Sequence, residues 1–338
     1  MRVQRIIIGF WVILIIIIIL TVSKSSKVYQ ESGRTIVIPM KNARMKMDLE
    51  QFIPLVLMAE MPFDSPKELL KAHAVVIRTN ILYTMRGKKI VEAQELGLPF
   101  KTPEQLKRQW EAEERMFRAN GLSGILLNGL NLGKEEVFAK KMNELYELIN
   151  ETEGRVLKIE GKLVLPLFHQ LSNGKTRDGA TRMGKDYGYM TAVACDEDME
   201  NPGYEVYQRI GVEEIIRKLN RHRMVVFQKG KEVDLKNIKG EELVRMLEKG
   251  SKDTSGYWNH LVLGDVRIEG MDFAKALGLP TCAFDMEAEG DEIVFCTRGN
   301  GHGFGMSLND ARTMALQGKH YNEILKKFYQ AALVKNVS

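Results

Sequence analysis

The chain has 338 residues, of which 44% are apolar and 28% are charged, so it can bury a sizeable core and is unlike a disordered or low-complexity protein. Its net charge of +5 is spread along the chain and suits an anionic partner such as cell wall, lipid or nucleic acid without choosing among them. The three cysteines, Cys195, Cys282 and Cys296, form no C-x-x-C pair, and their odd number excludes complete disulfide pairing within one chain. Cys282 and Cys296 could bridge if their strands pair, but buried free thiols are favoured.

An apolar run at residues 6–23 is the first feature in chain order. It contains no charged residue and is close to the length that spans the hydrocarbon core of a bilayer. Two basic residues precede it and two follow closely, so the positive-inside bias of its flanks is weak. A signal peptide also begins in this way, but no A-x-A-like cleavage site follows. We predict an uncleaved signal anchor at residues 1–23, a transmembrane helix that leaves the rest of the chain outside the cell membrane.

The next part of the chain reads as a linker and two helices. Residues 24–45 are mostly polar with one short strand-like stretch, which predicts a linker. Residues 48–61 place apolar side chains at helical spacing up to Pro62, although Pro54 leaves the start of this helix open. A second helix begins at residues 65–68, where serine, proline and glutamate match an N-cap, a first helical position and a capping box.

Helices and short strands alternate in the remainder. The start signal recurs at residues 102–105 and predicts a helix ending near Gly121, and an amphipathic helix follows at residues 134–150. Beyond Gly154 the predicted elements are strands around a Glu-Gly-Lys turn within residues 156–169, helices at 212–221 and 240–248, strands at 261–268 and 292–297, a glycine-rich turn, and a helix from about Asn309. The pattern therefore predicts an α+β fold.

Three stretches of this sequence carry a resemblance to a known family. Residues 59–83 contain Glu-Met-Pro followed by a Leu-Lys-Ala helix. Residues 168–179 contain Ser-Asn-Gly-Lys-Thr, and Gly-Tyr-Met-Thr-Ala-Val follows at residues 188–193. Residues 298–329 contain Gly-His-Gly-Phe-Gly-Met-Ser and a closing helical stretch. In this order the stretches resemble the stage II sporulation protein D family over roughly residues 46–329.

The resemblance implies a fold and an activity. It implies a single extracytoplasmic catalytic domain at residues 46–332, with two lobes and a central cleft, behind one transmembrane helix. The implied enzyme is a lytic transglycosylase that cuts peptidoglycan glycan strands already stripped of stem peptides, during spore engulfment, and leaves 1,6-anhydromuramic acid ends. A sporulation amidase and a membrane protein are the implied partners, and no cofactor is implied.

Glu60 is the candidate general acid. Glycosidic cleavage needs a carboxylic acid that is protonated at working pH, so that the leaving oxygen departs without negative charge. Glu60 ends an apolar helix, where loss of water and the negative end of the helix both favour the protonated form. By resemblance it matches the catalytic glutamate of the family, and the alternative is a solvated glutamate at a helix end. One carboxylate can suffice for lytic cleavage because the substrate's own C6 hydroxyl attacks the anomeric carbon.

Two further groups of residues are candidates for substrate binding. Arg78 occupies the family's arginine position, and its planar fork suits a carboxylate of the substrate or of Glu60, although it could instead anchor its helix. Ser172, Asn173 and Lys175 form a polar turn that could hold sugar hydroxyls, or that could exist for its asparagine-glycine geometry.

The resemblance adds Tyr189 near the cleft. Two residues later the family often has a basic residue, and this chain has Thr191, which puts one substrate contact in doubt.

His302 lies among four glycines at alternate positions. Glycines allow close backbone approach or positive φ, and the spacing matches neither a dinucleotide-binding fingerprint nor a P-loop. His302 could line the cleft and bind sugar, support Glu60, or be a buried structural histidine. The family usually continues Gln-Tyr-Gly-Ala where residues 308–311 read Leu-Asn-Asp-Ala, so we expect an altered turn here.

Metal binding is not expected. Some family members carry a zinc loop, but residues 80–168 contain neither histidine nor cysteine, and His169 with Cys195 cannot complete a tetrahedral site. We predict no structural zinc.

Other functions stay open at this point. A non-catalytic wall-binding protein that activates a partner amidase is favoured by the departures at Thr191 and Asn309. A structural member of a membrane complex could use helices at residues 103–120 and 134–150 as docking surfaces. Nucleic-acid binding is not expected, because no basic stripe is interleaved with aromatic residues.

Overall fold

The structure is a computed structural model, which describes residues 32–40, 43–119, 134–221, 227–228, 231–232, 238–330 and 332–336. It is an α+β fold with several small sheets, which confirms the predicted fold class. The chain divides into two compact units, Met1–Leu165 with Val334–Ser338, and Pro166–Leu333. In the described part of the chain no helix has the length and apolar character that a membrane span needs, and the predicted anchor at residues 1–23 lies outside that part.

The first unit begins with a three-stranded sheet. Strand β1 (Thr35–Met40) pairs antiparallel with β2 (Ala43–Asp48) and parallel with β3 (Ile90–Glu92). Side chains 36–38 of β1 are buried. The predicted linker at residues 24–45 is therefore wrong from Thr35 onward, because these apolar residues gain strand partners on both sides and are removed from water.

Helix α1 (Leu49–Glu60) confirms the helix predicted before Pro62. Its start is set by Asp48, whose carboxylate accepts from the backbone N–H of Glu50 at 2.9 Å while the side chain of Gln51 accepts from the N–H of Asp48. This capping box lies before Pro54, so the proline sits within the helix.

Helix α2 (Lys67–Met85) confirms the second predicted helix, but its start differs from the prediction. The hydroxyl of Ser65 donates to the carbonyl of Pro62 at 2.8 Å and makes no cap bond to the helix. The predicted capping box is therefore absent, and the serine closes the turn between α1 and α2 instead.

Two helices follow where the sequence predicts them. Helix α3 (Pro103–Ala119) starts with a formed capping box, in which the N–H of Thr102 donates to Oε1 of Gln105 at 2.8 Å and Oγ1 of Thr102 accepts from the N–H of Gln105 at 3.3 Å. Helix α4 (Lys134–Asn150) has the predicted bounds. Strands β4 (Arg155–Ile159) and β5 (Lys162–Leu163) then form the predicted hairpin.

A buried ion pair joins α1, α2 and β4. Nε and Nη2 of Arg78 donate to the two carboxylate oxygens of Glu50 at 2.6 and 2.7 Å, and Nη1 donates to the carbonyl of Arg155 at 3.1 Å. The side chains of Arg78 and Glu50 are 0% and 3% exposed. A single guanidinium thus connects three elements of the first unit.

The second unit is built from short elements. Its strands are β6 (Phe168–His169), β7 (Glu205–Gly211), β8 (Phe227–Gln228), β9 (Lys231–Glu232), β10 (Ser251–Lys252), β11 (Trp258–Leu263), β12 (Val266–Glu269), β13 (Phe284–Glu289), β14 (Glu292–Arg298) and β15 (Met306–Ser307). The last strand, β16 (Leu333–Asn336), belongs to the first unit from Val334 onward and joins the sheet of β4 and β5. Its helices are α5 (Gly179–Met183), α6 (Asp196–Met199), α7 (Val212–Arg221), α8 (Gly240–Leu247), α9 (Gly270–Leu277), α10 (Leu308–Leu316) and α11 (Tyr321–Phe328).

An aromatic core lies between the sheets of this unit. The sheet β13-β14-β7 and the sheet β10-β11-β12 contribute to one buried cluster, in which the ring of Phe284 lies 5.8 Å from that of Phe273 and 5.5 Å from that of Phe295. Helices α7 and α8 confirm the helices predicted there. The stretch 261–268, predicted as one strand, is part of a hairpin that turns at Gly264 with φ +63°.

We expect Glu50 and Arg78 to contribute to stability as a pair and not independently of each other. Arg78→Met leaves a buried carboxylate without its cation, so the free energy of unfolding should fall by about 3–5 kcal/mol. The double variant Glu50→Leu with Arg78→Met removes both charges and should recover most of this loss. Urea denaturation followed by circular dichroism measures both values. A double variant as unstable as the single one would contradict this account.

Candidate functional site

Glu60 is the last residue of α1, as the sequence predicts. Residues 52–58 before it are buried, and Met61 after it is extended and donates its N–H to the carbonyl of Leu57 at 3.1 Å. The side chain of Glu60 is half-buried. The carboxyl group of Glu60 therefore belongs to the point where the chain leaves a helix whose preceding residues are buried.

Three polar residues beside this helix end were missed from sequence. Nζ of Lys101 donates to the carbonyl of Met58 at 3.3 Å and to Oε1 of Gln109 at 2.6 Å. The amide of Gln109 donates to Glu113 at 2.6 Å, and Glu113 accepts from the N–H of Phe63 at 3.2 Å. These contacts run from the carbonyl end of α1 to the segment after Glu60.

The ammonium of Lys101 changes the electrostatics expected of this helix end. A cation at the last carbonyls of a helix offsets the negative end of its dipole. The dipole argument for a protonated Glu60 is therefore weaker than the sequence suggested. Gln109 and Glu113 share one face of α3 at i, i+4 spacing, but nothing local identifies a partner about fifty residues away.

Arg78 pairs with Glu50 and not with Glu60. Its side chain is fully buried, and its fork is occupied by the two oxygens of one carboxylate. This position favours the anchoring alternative over the predicted contact with substrate, because a ligand would have to displace a buried bidentate pair. The sequence contained Glu50, but its distance of 28 residues in the chain hid the pairing.

The polar turn at residues 172–175 is held by hydrogen bonds to other residues of the second unit. The N–H of Ser172, a fully buried residue, donates to Asp198 at 2.8 Å. Asn173 donates its N–H to the hydroxyl of Tyr257 at 2.8 Å, and its amide donates to the carbonyl of Ser255 at 3.0 Å. Lys175 is exposed. Of these three predicted contacts, only Lys175 extends its side chain into solvent.

The stretches at 168–179 and 188–193, which the resemblance links, pair with each other through their backbones. The N–H of Thr176 donates to the carbonyl of Val193 at 2.9 Å, and Lys175 bridges Ala194. Tyr189 is buried, with its ring 6.3 Å from that of Tyr187, and Thr191 is half-buried. The structure thus places Tyr189 near the polar turn in the fold but inside the protein.

Asp198 connects this turn to the glycine-rich loop, and the sequence analysis missed it. Its fully buried carboxylate accepts from the N–H of Ser172 at 2.8 Å, the hydroxyl of Ser307 at 2.7 Å and the amide of Asn309 at 3.0 Å. Asn309, which departs from the family pattern, is therefore part of this network. Asp198 lies in a run of acidic residues, and only its burial distinguishes it from its neighbours.

The glycine-rich loop uses positive φ at all four glycines, residues 299, 301, 303 and 305. A Cβ on Gly305 would lie 1.9 Å from the carbonyl oxygen of Leu167, and one on Gly303 would lie 2.5 Å from the ring of Tyr257. Both predicted reasons for these glycines, positive φ and close approach, are confirmed. At Gly303 and Gly305 the backbone of the loop lies directly against its neighbours, so a side chain would not fit at either position.

Arg177 contacts this loop through both its backbone and its side chain. Its N–H donates to the carbonyl of Gly303 at 2.8 Å, its Nε donates to Asp253 at 2.6 Å, and its guanidinium lies 4.6 Å from the ring centroid of Phe304. Nη1 also lies 3.5 Å from the carbonyl oxygen of His302. This buried arginine was not singled out from sequence, because its neighbours come from segments about 76 and 125 residues away.

His302 is a neutral, half-buried histidine. Its Nδ1 accepts from the N–H of Phe304 at 3.0 Å, so the proton of the neutral ring is on Nε2. Burial, with smaller contributions from His169 and Arg177, lowers the pKa of His302 to about 3, and a backbone hydrogen bond to Phe168 acts in the other direction. With both ring nitrogens engaged, the structural alternative for His302 is favoured over direct sugar binding.

His169 is a buried histidine on β6, beside the loop. Its ring lies 5.7 Å from that of His302, and its Nδ1 lies 3.1 Å from the carbonyl oxygen of Phe304, which fixes the proton on Nδ1. Burial lowers the pKa of His169 to about 4. Its Nε2 is buried and makes no hydrogen bond with the described residues. Both imidazoles are therefore uncharged at neutral pH.

The structure also shows how the possible metal ligands and the cysteines are arranged. Within the ranges that the structure describes, no group of three or more His, Cys, Asp or Glu side chains is arranged to hold a metal ion. Cys195, Cys282 and Cys296 are free thiols, the first two buried. Cys296 donates to Glu205 at 3.1 Å, so the Cys282–Cys296 bridge considered from sequence is not formed.

Comparison with known proteins agrees with the resemblance. Residues 40–158 match the family model described as Stage II sporulation protein. The chain is 25% identical over 291 residues to stage II sporulation protein D of Bacillus amyloliquefaciens, covering 83% of this chain and 72% of that protein. It is 26% identical over 295 residues to the protein of the same name from Bacillus subtilis, covering 85% and 74%. An uncharacterized protein of Brachyspira hyodysenteriae is 25% identical over 296 residues, covering 84% and 66%.

The glycine loop gives a stability prediction with a matched control. Gly305→Ala combines positive φ with a Cβ that overlaps a backbone carbonyl, so the free energy of unfolding should fall by about 4 kcal/mol or more. Gly318 has φ +84°, but no atom lies within 4 Å of the position that a Cβ would take, so Gly318→Ala should cost only about 1 kcal/mol. Thermal unfolding of both variants tests this, and equal losses would contradict it.

The buried histidines predict a pH dependence of stability. Because the folded-state pKa values of His169 and His302 lie below 6.5, their contribution is fully present above pH 6.5 and is lost as pH falls toward 4 and 3. Each should reduce the free energy of unfolding by about 1.4 kcal/mol per pH unit in that interval. Urea denaturation between pH 8 and pH 5 should show a shallower slope for His302→Gln than for the parent. Parallel slopes would mean that folding does not lower the pKa of His302.

Proposed function

From the premise that residues 40–158 form a domain of the stage II sporulation protein family, we propose that this protein is a peptidoglycan lytic transglycosylase that acts in sporulation. The bond cleaved would be the one between N-acetylmuramic acid and N-acetylglucosamine. The observation that carries the proposal is Glu60, a half-buried carboxyl group at the end of an apolar helix and inside the matched range.

Glu60 would act first as acid and then as base. Its proton goes to the glycosidic oxygen as the bond to the anomeric carbon of muramic acid breaks. The resulting carboxylate then takes the proton of the C6 hydroxyl as that oxygen bonds to the same carbon. The product is a 1,6-anhydro end, no water is consumed, and Glu60 returns to its protonated form.

The second unit would supply substrate contacts and rigidity. Lys175 is the proposed direct contact, because its side chain is exposed beside the turn at Ser172 and Asn173. Tyr189 and His302 are proposed to support this surface, since Tyr189 is buried and both ring nitrogens of His302 are engaged by backbone groups. No cofactor is part of the proposal.

The cellular setting of the enzyme is also a proposal. A signal anchor at residues 1–23 would hold the catalytic part outside the cell membrane, next to its peptidoglycan substrate. Strands stripped of stem peptides would require a sporulation amidase acting beforehand, and a membrane protein would hold the two together at the engulfing septum.

A second candidate is a non-catalytic wall-binding protein that activates a partner amidase. Thr191 favours it, because this half-buried threonine stands where the family often has a basic residue. Its hydroxyl oxygen is buried without a hydrogen bond to the described residues, so it cannot replace the charge of a substrate contact.

Product analysis with a matched variant separates these functions. The full chain in detergent is incubated with peptide-free glycan strands, and mass spectrometry identifies the ends formed. We expect anhydro ends from the parent and from Glu104→Gln, which changes an exposed glutamate of α3, and a rate at least about 100-fold lower from Glu60→Gln. Cleavage by Glu60→Gln at the parent rate would remove Glu60 from the mechanism. Absence of cleavage by a folded parent that still binds wall would favour the activator.

A further inference from the structure

The second unit contains an open pocket of about 410 Å³ that the proposed mechanism does not use. Its volume lies within the range of about 300–1,000 Å³ typical of small-ligand sites. It is formed by α5, β10, β11 and β12, and the residues that line it are all of polar or charged types. On β11 and β12 the buried side chains of Leu261 and Ile268 face the core, so the alternate residues His260, Arg267 and Glu269 face this pocket.

Most charges of the pocket are compensated by partners. Arg182 pairs with Glu269, and Lys252 pairs with Asp285 at 2.6 Å. Asp253 accepts from the buried guanidinium of Arg177. Asp178 caps α5 by accepting from the N–H of Thr181 at 2.7 Å. Arg182, Glu269, Lys252 and Asp253 therefore need no charged ligand, whereas Asp178, within the described ranges, accepts only from neutral groups of Thr181.

Arg267 differs from the other cations of the pocket. Its Nη2 lies 3.1 Å from Nδ1 of His260, and in the described part of the chain no carboxylate lies within ion-pair distance of it. A guanidinium can only donate, so Nδ1 of His260 accepts and the neutral ring carries its proton on Nε2. Burial, together with Arg267 and Arg182, lowers the pKa of His260, which keeps this ring uncharged. Among the described residues, Arg267 is thus the lining cation that no carboxylate engages, while Asp178 is a lining carboxylate that accepts only from Thr181.

The pocket is connected to the glycine-rich loop through one residue. Asp253 and Asn259 line the pocket, and both accept hydrogen bonds from Arg177, at 2.6 and 3.3 Å. Arg177 in turn donates to the carbonyl of Gly303 beside His302. A ligand held in the pocket would therefore be separated from the glycine-rich loop by one side chain, that of Arg177.

We propose that this pocket binds a carboxylate of the glycan strand, with Arg267 as the charged contact and the hydroxyl and amide groups around it as sugar contacts. One guanidinium without a carboxylate partner, in a lining that also contains the carboxylate of Asp178, suits a monoanion better than a phosphate dianion, which the carboxylate would repel more strongly. In a peptide-free strand the carboxylate is the lactyl group of muramic acid, and in a peptide-bearing strand it belongs to the stem peptide. The inference rests on the proposed function, because that function identifies the ligand as a glycan strand of peptidoglycan.

Binding measurements test this apart from cleavage. In the full-length Glu60→Gln background, which leaves strands intact, affinity is measured for peptide-free strands, for the same strands with carboxylates converted to amides, and for peptide-bearing strands. Arg267→Gln should weaken binding of peptide-free strands roughly tenfold, the loss of one charge-assisted hydrogen bond. The control is Arg209→Gln, which removes the same charge from an exposed arginine of β7 outside the pocket and should leave affinity unchanged. Circular dichroism confirms that both variants are folded.

The outcomes separate the two proposals. A loss on Arg267→Gln that amidation of the strands reproduces supports the pocket, and the same loss only with peptide-bearing strands assigns the carboxylate to the stem peptide. Three results would overturn the proposed carboxylate site: equal affinities of Arg267→Gln and Arg209→Gln, unchanged binding of amidated strands, or no binding of any strand. Arg267-dependent binding by a parent enzyme that cleaves nothing would instead refute the transglycosylase and leave the pocket standing.

Discussion

A charge taken out of water has to be given partners within the protein, and this constraint holds together the segments that carry the candidate site. In the first unit the constraint is met by Glu50 and Arg78, which are both buried and share two hydrogen bonds. Either charge alone would cost several kcal/mol. The pair therefore fixes α1 against α2, and with it the helix end at which Glu60 lies.

The second unit meets the same constraint in two places. Asp198 receives three donors from the turn at residues 172–175 and from the loop end at Ser307 and Asn309. Arg177 lies between Asp253 and the backbone of Gly303. Because both groups are buried, moving either segment would leave a charge unsatisfied, so the turn and the glycine loop keep their positions relative to each other.

Local signals in the sequence predicted local structure well. The capping box at Thr102 and the apolar spacing of α4 depend only on residues three or four apart, and the structure confirms both helices. The glycines of the loop were also readable, because positive φ and the absence of a Cβ are properties of the residue itself.

The roles of residues whose partners are distant in sequence could not be predicted from such local signals. Nothing near Arg78 indicates Glu50, and nothing near Thr35 shows that β1 gains strand partners on both sides. His302 looked equally suited to a cleft or a core until the N–H of Phe304 and the backbone of Phe168 were seen to engage its ring. In each case the deciding neighbour is supplied by the tertiary fold, which periodicity and motif spacing do not encode.

The pKa values of the second unit limit which groups can perform acid–base chemistry. His169 and His302 are held neutral by burial, with pKa values of about 4 and 3. Burial also raises the pKa of Cys282 to about 11 and raises that of Tyr257. These groups near the glycine loop therefore keep a fixed protonation state around neutral pH and act as fixed donors, acceptors and packing surfaces. The proposed transglycosylase needs one group that gives and takes a proton, Glu60 of the first unit, and asks only for orientation of the sugar from other residues, so it does not require any of these second-unit groups to titrate.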